Sequence, residues 1–98
     1  MQDRFEALRQ ALEDSVLRGP GHAPPALRQQ VADATSAPEH LRALVDTIER
    51  HAYQVTDEDI AALRRRHSDD ELFEIVVAAA LGAARRRLQA GLRAIEEA

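Results

Sequence analysis

The chain has 98 residues, no cysteine and no lysine, and sets 13 arginines against 17 acidic residues for a net charge of −4 at neutral pH. This length corresponds to a single domain, 1–98, that can bury about 60–68% of the surface its unfolded chain exposes. The missing cysteines exclude disulfides, thiolate metal centres and thiol nucleophiles, and an acidic chain lacks the general attraction for phosphate backbones that dominates nonspecific nucleic-acid binding.

The first residues, Met1-Gln2-Asp3-Arg4-Phe5-Glu6, carry mixed charge and no apolar run, so the expectation is a cytoplasmic protein without a secretory signal. Phe5, Leu8, Leu12 and Val16 recur at helical spacing and predict a first helix over about 1–18. Gly19-Pro20-Gly21 ends it, and residues 19–25 read as a flexible Gly/Pro linker from which the first forty residues could pack on their own subunit or on another. Pro24-Pro25 opens a short second helix with Leu27 and Val31 on one face. Ser36-Ala37-Pro38-Glu39 reads as a capping box, in which serine and glutamate satisfy two orphan amides reciprocally. Leu41, Leu44, Val45 and Ile48 follow on one stripe, to a predicted end near His51 or Ala52.

A fourth helix starts at Thr56-Asp57-Glu58-Asp59, its acids favoured by the helix dipole, with Arg64 to Arg66 predicted in its last turn. Ser68-Asp69-Asp70-Glu71 repeats the capping pattern, and the helix it opens runs through Leu81, Leu88, Leu92 and Ile95, with Gly82 and Gly91 as weak points. No segment alternates with period two, so the expected fold class is all-α, with five helices and a long apolar C-terminal one. The run from Leu72 to Ala84 is well short of the roughly 20 residues that span a bilayer, so no membrane partner is expected. Its side chains nevertheless project around the whole helix. An interface of Leu72, Phe73, Ile75, Val76, Val77, Leu81, Leu88 and Leu92 in a homo-oligomer is therefore predicted, with a further protein partner as an open option.

Val55-Thr56-Asp57-Glu58-Asp59-Ile60-Ala61-Ala62-Leu63-Arg64, followed by Ser68-Asp69-Asp70-Glu71-Leu72-Phe73-Glu74-Ile75-Val76 and an alanine-rich run, resembles the carboxymuconolactone decarboxylase and AhpD-like alkylhydroperoxidase families. The similarity covers Leu41 to Leu92, within a helical core of residues 36–98. It implies an all-α, oligomeric fold. Redox-active members resemble one another most in a Cys-x-x-Cys pair with an upstream glutamate and a downstream histidine. This chain has neither cysteine nor any histidine after Ser68, so thiol peroxidase chemistry transfers to no residue here.

Glu74 stands one turn inside the apolar helix, where an isolated carboxylate would have a raised pKa and could serve as a general acid or base. Alternatively, it faces water or an arginine of a neighbouring helix. Glu71 reads as the capping-box partner of Ser68. The histidines are His22, His40, His51 and His67; none pair at i, i+4, and no Glu-x-x-His occurs, so neither a metal nor a cofactor is expected. His51 and His67 fall where helices three and four should end, a favourable place for a partly charged imidazole. A candidate catalytic group joins His51 and Tyr53 with Glu74 as base, phenolic donor and carboxylate. Three aromatic residues are too few for a base-stacking platform, and a recognition helix would need polar side chains that Leu72 to Ala84 lacks. Three readings follow: a self-associating, protein-binding helical module, a small non-thiol enzyme, or a partner subunit of a redox enzyme.

Overall fold

The computed structural model describes residues 2–98, which form five α-helices: α1 (Gln2–Arg18), α2 (Pro25–Ala32), α3 (Arg42–His51), α4 (Asp57–Leu63) and α5 (Asp69–Glu97). Short 3₁₀ turns, Glu39–Leu41 and Ala52–Gln54, flank α3, and no strand occurs among the described residues. At 1.5 Å per residue the 29 residues of α5 span about 43 Å. They account for the 45 Å long axis of the molecule. No helix among the described residues is long and apolar enough to cross a membrane.

The core gathers on one side of the first half of α5. Leu72, Ile75, Ala78 and Ala79 meet Val31 and Ala32 of α2, Leu44, Val45 and Ile48 of α3, and Leu17 of α1. Each large aliphatic side chain contributes about 1.5–3 kcal/mol when fully buried. Leu72 and Ile75 are thus covered by their own chain and need no second copy, which corrects the expectation that they lie at an oligomer interface. Val76 and Leu81 are half-buried against the same core, while Phe73 on the opposite side is 71% exposed. α5 is therefore sided, not apolar and buried all round.

Gly82 explains how α2 comes so close. A Cβ there would collide with the carbonyl of Ala32, so the glycine is a crossing point and not a weak one. Gly91 has open space around it. The capping box predicted at Ser68 with Glu71 forms, and the predicted start at Thr56 closes as a second box with Asp59. The box predicted at Ser36 does not form: Ser36 Oγ turns back to Asp33 Oδ2 at 3.0 Å, and Pro38 caps the 3₁₀ turn without a side-chain bond. The reason is Pro38 itself, which pushes the preceding Ala37 out of helical conformation. Arg64 to Arg66 likewise fall beyond α4, in the turn that follows it.

α1 is rolled away from its own apolar stripe. Leu17 and Glu13 are buried and Val16 half-buried, whereas Phe5, Leu8 and Leu12 are 62%, 66% and 56% exposed. α2 ends with Ala34 at φ 56°, in the left-handed region that glycine occupies without strain.

Replacing Gly82 by alanine should destabilise the fold by about 1–3 kcal/mol through overpacking against α2, while Gly91→Ala should stabilise it by about 0.5–1 kcal/mol through helix propensity. Urea unfolding midpoints of the two variants should therefore move in opposite directions. Ala34→Gly, relieving a left-handed alanine, should add about 1 kcal/mol in the same assay.

Candidate functional site

Glu74, in the second turn of α5, closes the connector between α1 and α2. Both of its carboxylate oxygens accept the His22 N–H, at 2.9 and 2.8 Å, and Oε1 also accepts the Ala23 N–H at 3.1 Å. The guanidinium of Arg28, 3% exposed and 4.0 Å from Glu74, takes the carbonyls of the same segment. Its Nε donates to Ala23 O at 3.1 Å, Nη1 to Val16 O at 2.9 Å and Nη2 to Gly19 O at 2.5 Å. Gly21 permits this geometry, because a Cβ there would strike Glu74 Oε1. The residues read as a flexible linker are thus gripped by both chemistries of their backbone, and α1 packs on its own chain.

The His22 amide, with help from Ala23 and the charge of Arg28, holds the Glu74 carboxyl below its usual range despite the opposing effect of burial. The raised pKa that a buried general acid would need is replaced by its opposite. Nor do the three candidate catalytic residues converge. His51 and Tyr53 pack ring against ring at 5.6 Å, with Tyr53 82% exposed, while the contacts of Glu74 are with His22, Ala23 and Arg28.

The arginine triplet Arg85-Arg86-Arg87 is a set of internal fasteners. Arg86 grips Glu49 of α3 with two bonds, 2.7 and 2.6 Å, and donates to Ala32 O at 2.7 Å. This pairing lowers the Glu49 carboxyl below its ordinary range and raises Arg86. Arg87 reaches the Glu49 carbonyl, and Arg85 lies 3.8 Å from Glu13 of α1. In the other triplet, Arg64 pairs with Asp69 at 3.0 Å.

A histidine pair that sequence spacing did not reveal joins the start of α3 to the α4–α5 turn. His40 and His67, 27 residues apart, meet edge to edge with ring centroids 5.1 Å apart and an interplanar angle of 13°. Their Nε2 atoms are 2.8 Å apart, so one donates a hydrogen and the other accepts it. His67 Nδ1 is buried without a hydrogen bond, with Glu71 Oε2 3.5 Å away. Burial, then the charge of Arg66 and the proximity of His67, lower the His40 pKa. Among the described residues no group of three or more His, Asp or Glu side chains is arranged to hold a metal ion.

The other unusual feature is apolar. Glu13 meets Arg85 while His22 and Ala23 meet Glu74, so α1 runs antiparallel to α5. Exposed Phe5, Leu8 and Leu12 thereby lie at the same end of the molecule as Leu88, Leu92 and Ile95, which are 45%, 51% and 74% exposed. Neither a protein-family model, nor a curated protein, nor a solved structure matches this chain.

Glu74→Gln should cost about 1–3 kcal/mol by weakening the charge-assisted bonds to the connector. Because the folded-state pKa is depressed, the stabilisation is present above the ordinary value of 4.5 and is lost as pH falls through the lower folded value. The stability gap between wild type and variant in urea titrations should therefore be widest at neutral pH and narrow below pH 4.5.

Proposed function

We propose that the chain is a self-associating helical module whose interface is the α1/α5 end, and that it acts by protein–protein interaction without thiol peroxidase chemistry. One observation carries this reading: two antiparallel helices present apolar side chains to water at the same end. Phe5, Leu8 and Leu12 recur at three and four residues, as do Leu88, Leu92 and Ile95. That spacing forms a seam for packing against other helices. Together the six leave on the order of 500 Å² of apolar surface exposed per chain, within the range where a patch on a monomer is commonly functional. Two copies pairing through it would bury about 1,000 Å², the lower bound for a specific interface.

The proposed seam keeps Leu88 and Leu92 from the sequence expectation, adds Ile95 and the α1 residues, and leaves out Leu72, Phe73, Ile75, Val76, Val77 and Leu81. The resemblance of the α4–α5 pair to the AhpD-like helices supports a cysteine-free, oligomeric relative of that fold, and the two capping boxes that carry it are formed.

Light scattering coupled to size exclusion at micromolar concentration should give a dimer or larger assembly. Leu8→Glu combined with Leu92→Glu should weaken the assembly by at least about a hundredfold, since each buried charge costs several kcal/mol, while leaving helicity unchanged because both positions are exposed. Phe73→Ser, outside the seam, should leave the assembly intact. A monomeric wild type, or disruption by Phe73→Ser alone, would contradict the reading.

A further inference from the structure

α4 is the least embedded of the five α-helices. None of its residues is buried. Ile60 and Leu63 are half-buried against the core, and a cleft lined by His40, Leu44, Thr47, Glu58, Asp59 and Leu63 separates α4 from α3. Its cap and the Arg64–Asp69 pair are local. Among the described residues, the side-chain hydrogen bond that ties this segment to α3's side of the molecule is the one between His40 and His67.

We propose that the His40–His67 contact is an acid-released latch, which holds α4 over the α3–α5 core when the pair is neutral or singly protonated and frees it when both imidazoles are charged. The geometry dictates this limit. With Nε2 atoms 2.8 Å apart, one hydrogen fits between the rings and two do not. A first added proton is accommodated: His67 then carries hydrogens on both nitrogens, donating from Nε2 to His40 and pointing Nδ1–H toward Glu71 Oε2 at 3.5 Å, while His40 stays neutral with its hydrogen on Nδ1. A second proton places two N–H groups head to head between like charges, and the contact opens.

The surroundings set the balance. Arg66 in the turn opposes charge on His40, and the Glu71 carboxylate of α5 lies 3.5 Å from His67 Nδ1. Glu39 on the adjoining 3₁₀ turn and Glu58 and Asp59 of α4 also border the clefts beside His40. Burial leaves the closed form reluctant to take up protons. The His40 pKa is lowered from 6.5 in the folded state, so this contribution to stability is present above pH 6.5 and is lost as pH falls below it. Opening should become up to about tenfold more favourable per pH unit for each proton the closed form excludes. Glu71 and Glu74 are both held below the ordinary value of 4.5, below this window.

Backbone hydrogen exchange by NMR at pH 7.5 and 5.5, expressed as protection factors, tests the latch. For the amides of Ile60 to Leu63, protection should fall about tenfold in wild type, while Ile75 and Ala79 in α5 keep theirs. In His40→Gln, whose amide can still bond to His67 but does not titrate, α4 protection should change less than about twofold over the same interval. Should that variant fail to fold, the imidazole Hε1 resonances of the wild type decide the matter: His40 and His67 should titrate in two coupled, separated steps. Independent single-step titration, unchanged α4 protection, an equal fall in His40→Gln, or a parallel loss in α5 would each overturn the proposal.

Discussion

The placement of α1 depends on how Arg28 and Glu74 share the connector that follows it. A Gly-Pro-Gly turn has little intrinsic order, and its backbone groups, partly withdrawn from water, need partners. Arg28 takes the carbonyls of Val16, Gly19 and Ala23, and Glu74 takes the amides of His22 and Ala23. At 4.0 Å the two charged groups balance each other across the segment they hold. The connector is thereby converted from a hinge into a fixed corner. That corner returns α1 along α5 in the opposite direction and fixes its roll.

The fixed roll has a cost for α1. Leu17 and Val16 reach the core, but the stripe of Phe5, Leu8 and Leu12 is turned toward solvent. At the other end of the pairing, the side-chain bonds from α5 to α1 and α3 stop at Arg87 among the described residues, and the roughly ten residues that follow are all exposed. A core closed around Ile75 and an end left open around Leu92 coexist in one short chain. This division links the fold to its proposed role, because a second copy would supply at the open end what α2 and α3 supply at the closed one.

What could be read from the sequence was local. The caps at Thr56 and Ser68 bond within three residues, and the helices they open are where the sequence places them. The Ser36 signal failed because Pro38 vetoes the helical conformation that its pattern assumes. Glu74 was recognisable as anomalous, but its partner lies 52 residues earlier and is backbone, which no side-chain pattern encodes. The same applies to His40 and His67, brought together over 27 residues by the crossing of α3 and the α4–α5 turn. Gly82 reads as a flaw in a helix until α2 is seen lying against it. The apolar content of α1 and α5 was evident, but which side of each faces the core is decided by tertiary contacts.

The central claim is that the Arg28–Glu74 corner holds α1 antiparallel to α5 within a single chain, bringing the two exposed apolar stripes to one end. The absence of cysteine makes a direct measurement simple: cysteines introduced at the exposed Gln10 and Gln89 can carry spin labels, and their separation can be read by pulsed dipolar spectroscopy in doubly labelled protein diluted with unlabelled protein. Neighbouring packed helices lie about 8–10 Å apart, so with label linkers the account predicts one narrow distribution near about 15–25 Å that survives dilution. A broad distribution extending to much longer distances, or a short distance that disappears on dilution because α1 packs on another copy, would contradict it.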